Sequence, residues 1–126
     1  MDSCIFCSLP DYRVVAENDL TITVRDGYPV SDGHSLIIPK RHIASYFEAS
    51  DEELMAINQA LKLQKLEIDS EFEPSGYNIG VNSGQVAGQT VMHLHVHLIP
   101  RYAGDIDDPR GGVRWVLPEH ANYWSK

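Results

Sequence analysis

Three of the six histidines recur at alternate positions in His93-Leu94-His95-Val96-His97-Leu98-Ile99. Side chains alternate between the faces of a β-strand, so the pattern predicts His93, His95 and His97 on one face and Leu94, Val96 and Leu98 in a core. Neighbouring histidines then stand about 6.5–7 Å apart at Cα, so one metal ion can take two neighbours but hardly all three. Near neutral pH an imidazole is a nucleophile, a proton carrier, a hydrogen-bond donor or a metal ligand. Immediately upstream, Gly88 permits close backbone approach, and Gln89 and Thr90 offer uncharged polar groups beside the histidine face. A central imidazole flanked by such donors suits displacement at phosphorus, where charge developing on the equatorial oxygens needs stabilisation. The bland alternative is a polar sheet face that is merely rich in histidine.

A second group lies at the N-terminus, Cys4-Ile5-Phe6-Cys7. Two cysteines at this spacing favour metal or redox chemistry over a structural disulfide in a chain expected to be cytoplasmic. A zinc site needs two further ligands, and His42, after Pro39-Lys40-Arg41, is the first candidate. The cysteines could equally be small packing residues.

Charge is unevenly spread along the 126 residues. The net charge of −8 lies in the first 73 residues, with 6 basic and 14 acidic side chains, and no charged side chain occurs from Pro74 to Pro100. Buried strands exclude charge, and a pocket for an anion keeps carboxylates away; both readings hold together. The overall acidity argues against a nucleic-acid polymer or an anionic membrane as partner. Met1-Asp2-Ser3-Cys4 lacks the basic start and apolar stretch of a signal peptide, and no apolar run approaches the ~20 residues of a spanning helix. A cytoplasmic chain is the expectation.

The elements that must position these groups are few. Val14-Val15-Ala16, Leu20–Val24, Ser35–Ile38 and Tyr77–Val81 read as strands, and Val91–Ile99 as the last one. Ser50-Asp51-Glu52-Glu53 is a capping box, and Leu54, Ile57, Leu61 and Ile68 follow at helical spacing, which predicts a helix from Asp51 to near Ser70. Its many acids form a solvated face. Length and composition fit one domain over residues 1–126. One long helix and a short one on an antiparallel sheet make an α+β fold.

The run Gly88-Gln89-Thr90-Val91-Met92-His93-Leu94-His95-Val96-His97-Leu98-Ile99 resembles the signature of the histidine triad family of nucleotide hydrolases and transferases. Cys4-Ile5-Phe6-Cys7 looks like the start of its zinc-containing bacterial members, and Gly33–His42 is similar to a second family block. Arg101, Gly104-Asp105 and Asp108–Arg114 resemble a bacterial branch of diadenosine polyphosphate hydrolases. The resemblance implies a histidine triad fold, a homodimer, and a purine nucleotide or dinucleotide as substrate. It implies His95 as nucleophile, forming a covalent nucleotidyl-histidine, with His97 on the phosphate oxygens and Gln89 and Thr90 assisting there and near the leaving group. Asn82 falls where an amide faces the substrate, and Asp26 where a carboxylate binds ribose hydroxyls, unless Asp26 is only a turn residue before Gly27. It also implies one structural zinc per chain on Cys4, Cys7, His42 and His93.

Other positions stay open. Ile22 and Val24 are base-pocket or core residues. His34 is support behind the triad or simply a satisfied polar group, and His120 is solvated. Arg101, Arg110 and Arg114 reach distal phosphates or pair with Asp105, Asp107 or Asp108. Trp115, Tyr123 and Trp124 form a dimer contact or pack within the chain. Two rival functions remain: a nucleotide sensor or scaffold with weak turnover, and a metallohydrolase with an open metal position on His93 and His95.

Overall fold

The computed structural model describes residues 4–125; Met1, Asp2 and Ser3, on which the expectation about a signal peptide rests, lie outside the described residues, as does Lys126. Five strands, β1 (Val14–Glu17), β2 (Thr21–Arg25), β3 (Ser35–Pro39), β4 (Gly76–Gly80) and β5 (Val96–Arg101), pair antiparallel in the order β1-β2-β3-β5-β4. A 22-residue helix, α1 (Asp51–Phe72), and a four-residue helix, α2 (Pro118–Ala121), complete the α+β fold expected from the sequence. No helix among the described residues is long and apolar enough to cross a membrane.

The capping box forms as read. Ser50 Oγ accepts from Glu53 N at 3.1 Å, and Glu53 Oε1 accepts from Ser50 N at 2.9 Å. Glu53 also receives two charge-assisted bonds from Arg41, at 3.0 and 2.7 Å, and this guanidinium pushes its carboxyl down to about 2. One glutamate thus caps α1 and anchors the segment that carries His42. The helix buries Ile57 and Ala60 against Ile37, Ile43, Leu94 and Val96, which closes one face of the sheet. On the opposite face Val24, Leu36 and Ile38 form a second apolar cluster, covered in part by Phe6, Leu9, Val14 and Ile22. Ile22 and Val24 are therefore packed in the core beneath the face that bears the histidines.

The last strand starts later than expected: ladder pairing begins at Val96, not Val91. The reason lies in its neighbour. β3 ends at Pro39, which has no N–H to offer a ladder. The chain before Val96 bonds elsewhere, with Leu94 N donating to Ile43 O at 2.7 Å. Leu94, Val96 and Leu98 are nevertheless all buried, so the alternation survives without a regular strand beneath it.

Candidate functional site

Backbone contacts fix the tautomers of His93, His95 and His34. His95 Nδ1 lies 2.8 Å from the carbonyl oxygen of His93, an acceptor only, so Nδ1 carries the proton and Nε2 keeps its lone pair. His93 Nε2 lies 2.8 Å from Pro39 O, so its proton sits there and its Nδ1 lone pair is free. Val30 N–H donates to His34 Nδ1 at 3.1 Å, which puts the His34 proton on Nε2. That Nε2–H donates to His97 Nδ1 at 3.0 Å, with Asp26 Oδ2 3.4 Å away. His97 must then carry its own proton on Nε2. The pair His95 and His97, with ring centroids 5.2 Å apart, presents a lone pair and a donor side by side. Burial lowers the affinity of both His34 and His97 for a second proton, and neighbouring imidazoles add to the effect on His97.

The two rings open into a cleft of about 810 Å³, whose wall includes Phe6, Leu9, Asp26, Leu36, Asn82 and Thr90. The edge of Phe6 packs on His95, centroids 5.0 Å apart. Asp26 is partly buried and holds Tyr28 N on Oδ1 at 2.8 Å. Gly88 also lines the cleft, with φ of 100°, a conformation that favours glycine, and a Cβ there would lie 4.0 Å from Asn82 Cγ. His34, Asp26, Asn82, Gly88 and Thr90 are thus gathered around His95 and His97. Gln89 is not in the wall. Its amide donates to Ala44 O and Val91 O and accepts from Gly84 N, at 2.8, 3.0 and 2.8 Å, and it is buried. Gln89 braces the 84–91 loop, and every hydrogen-bonding atom of its side chain has a backbone partner.

Below His95, Cys4, Cys7, His42 and His93 bring one ligand atom each to within 4.8 Å of one another. Sulfur-to-Nδ1 distances are 3.4 Å from Cys4 to His93, 3.5 Å from Cys7 to His93 and 3.1 Å from Cys7 to His42. A tetrahedral zinc ion, with Zn–S about 2.3 Å and Zn–N about 2.0–2.1 Å, separates such atoms by about 3.5 Å, so this donor set fits the metal. The backbone acceptor on His93 Nε2 is the usual outer partner of a ligating imidazole. Hydrogen bonding with Cys4, with burial adding to it, pushes the Cys7 thiol up. His95 belongs to no metal-competent group among the described residues. An open metal position on His93 and His95 is therefore not what these side chains form.

The arginines of the tail are engaged elsewhere. Arg101 pairs with Asp105 and Asn78, Arg110 with Asp108, and Arg114 donates to the carbonyls of His120 and Ala121. The tail aromatics pack within the chain: Arg110 stacks on Trp124 and Arg114 on Tyr123, and Trp115 Nε1 donates to Arg110 O. His120 is exposed, as expected. Phe6, between the cysteines, and Arg13, ahead of β1, are among the cleft residues that have no signature of their own in the sequence.

A HIT domain model matches residues 10–104. An adenosine 5'-monophosphoramidase of Schizosaccharomyces pombe is 37% identical over 103 residues, 79% of this chain and 74% of that one. A HIT family protein of Bacillus anthracis of known structure is 38% identical with a TM-score of 0.77, covering 82% of this chain and 77% of the other. A zinc-bound histidine triad protein of Mycobacterium smegmatis is 29% identical with a TM-score of 0.74, over 82% of this chain and 78% of the other. With the domain model matched across most of its length, the chain belongs to the histidine triad, or HIT, domain family.

Proposed function

We propose that the chain is a nucleotide hydrolase that cleaves purine nucleotide conjugates or dinucleoside polyphosphates through a covalent nucleotidyl-His95 intermediate. The observation that carries this is the hydrogen bond from His95 Nδ1 to His93 O, which leaves an unprotonated Nε2 in the cleft. Nε2 attacks the phosphorus that bears the nucleoside, and the bond to the leaving group breaks with its electron pair going to that group. Water then attacks the same phosphorus, the P–N bond breaks, and a nucleoside monophosphate and free imidazole result while the water proton passes to solvent. His97 Nε2–H and the Thr90 hydroxyl stabilise the equatorial oxygens. Asn82 and the Gly88 backbone face the same phosphate, Asp26 accepts from the ribose hydroxyls, and the apolar floor at Leu36 and Phe6 carries the purine. The name of the fission yeast relative supports a phosphoramidate among the leaving groups.

One zinc per chain on Cys4, Cys7, His42 and His93 would serve as a structural tie between the N-terminus and the segment bearing His95. The domain, residues 1–126, acts as a cytoplasmic homodimer. Supporting the dimer, β4 is an edge strand with Ile79 52% exposed, beside an apolar groove that includes Phe47 and Leu61. Rapid quenching of wild type with a nucleoside phosphoramidate or a dinucleoside polyphosphate tests the reading. An acid-labile nucleotidyl adduct on the His95 peptide, and net retention at a chiral phosphorothioate, are expected. Inversion at phosphorus removes His95 from the nucleophile's role.

A further inference from the structure

Resting on that reading of the cleft, we propose that Arg13 reads the edge of the nucleobase and gives the pocket a preference for 6-oxopurines, guanine and hypoxanthine, over adenine. A single row of paired residues crosses the sheet on the cleft side: His97 pairs with Leu36, Leu36 with Val24, and Val24 with Val14. Three strand spacings, about 14 Å, separate the backbone of His97 from that of Val14, the neighbour of Arg13. Asp26 lies between, beside His34 and His97. The cleft therefore has a direction, with phosphate at His95 and His97, ribose at Asp26, and the base beyond, where Arg13 stands. Leu9, Pro10 and Leu36 line the cleft with it and provide an apolar surface for a planar ring.

Arg13 is bonded unlike the other arginines. Arg25, Arg41, Arg101 and Arg110 each pair with a carboxylate, and Arg114 donates to two carbonyls and stacks on Tyr123. Among the described residues, Arg13 makes one side-chain hydrogen bond, from Nη2 to Arg25 O at 2.9 Å, and no ion pair. That bond fixes the guanidinium beside Gly27, where a Cβ would lie 3.8 Å from it. Four of its five N–H donors remain for a ligand. The half-buried guanidinium thus lines the cleft with few protein partners. The fork of a guanidinium matches O6 and N7 of guanine, whereas adenine turns an amino donor toward the same position.

Calorimetric titration of the whole chain with GMP, IMP, 7-deaza-GMP and AMP tests the proposal, because the four share phosphate and ribose. Wild type is expected to bind GMP and IMP about tenfold or more tighter than AMP, with 7-deaza-GMP between them since it keeps O6 and lacks N7. Arg13→Ala is expected to remove the difference by lowering the affinity for GMP and IMP to the level of that for AMP. Equal binding of GMP and AMP by wild type overturns the proposal without need of a variant. An IMP affinity equal to that of AMP also overturns it, since the 2-amino group would then be what is read. So does an Arg13→Ala protein that weakens all four alike, which would put the guanidinium on phosphate. Those three outcomes leave the nucleotide reading standing, whereas binding of none of the four removes both.

Discussion

The Nδ1 atom of His95 is tied to the backbone oxygen of His93 at 2.8 Å, while the His93 ring turns its own Nδ1 to Cys4 and Cys7 at 3.4 and 3.5 Å. One residue thus belongs to the metal-competent cluster through its ring and orients the neighbouring imidazole through its backbone. A second link runs through Phe6, held between the two cysteines with its ring edge on His95. Whatever fixes Cys4 and Cys7 also fixes the surroundings of His95.

The first prediction follows from that coupling. Protein purified without chelator carries about one zinc per chain, and Cys7→Ala loses it. The variant melts several degrees lower, because a structural metal contributes folding free energy, and its kcat falls with the loss of order around His95. Elemental analysis and thermal denaturation provide the check. A metal-free wild type with undiminished stability and activity would remove the four-ligand centre.

A second prediction concerns pH. Burial holds His34 and His97 below the ordinary histidine value of 6.5, so between 6.5 and their lower native values the unfolded chain binds more protons than the folded one. Their contribution to stability is complete above pH 6.5 and is lost as the pH falls toward those native values. Protonation also breaks the donor relay, since His97 Nδ1 can no longer accept from His34 Nε2. The acid limb of kcat/KM attributable to this pair therefore lies below pH 6.5. His34→Ala removes a positively charging neighbour and part of the burial, so it moves that limb upward. A pH–rate profile unchanged by His34→Ala contradicts the relay.

Much of this site is legible in the residues alone, and what is not has physical reasons. The alternation His93-x-His95-x-His97 and the buried Leu94, Val96 and Leu98 follow from side-chain geometry, which persists even where the ladder stops. The start of β5 is not legible, because it depends on Pro39 in a different strand. Gln89 reads as a polar group for substrate, and only the folded loop shows that Ala44 O, Val91 O and Gly84 N take up its amide. Arg13 carries no local pattern at all. Its position in the cleft comes from the pairing of β1 with β2 and from one bond to Arg25 O.

The third prediction tests assembly. β4 offers an unpaired edge, and pairing it with β4 of a second copy would extend the sheet and cover Ile79. Sedimentation of wild type is expected to give a dimer. Ile79→Lys places a charge on that edge and is expected to give a monomer with an intact far-ultraviolet spectrum. A monomeric wild type at micromolar concentration contradicts the dimer.

The fourth prediction concerns Asp26, whose two oxygens have different surroundings. Oδ1 accepts from Tyr28 N at 2.8 Å, and Oδ2 stands 3.4 Å from His34 Nε2 while the side chain lines the cleft. As the acceptor for ribose hydroxyls, Asp26 contributes to ground-state binding as well as to the transition state, so Asp26→Ala raises KM for a ribonucleotide conjugate, by about ten- to a hundredfold for a lost charged hydrogen bond. The comparison that isolates this role uses the 2',3'-dideoxy analogue. Wild type is expected to bind it poorly, and Asp26→Ala to bind both sugars equally, because the partner of the hydroxyls is gone from one side or the other. If Asp26 acts only through His34 and His97, the variant lowers kcat for both sugars alike and the ratio between them stays at its wild-type value. A preserved ribose preference in Asp26→Ala therefore removes Asp26 from the sugar site while leaving its place behind the histidine pair intact.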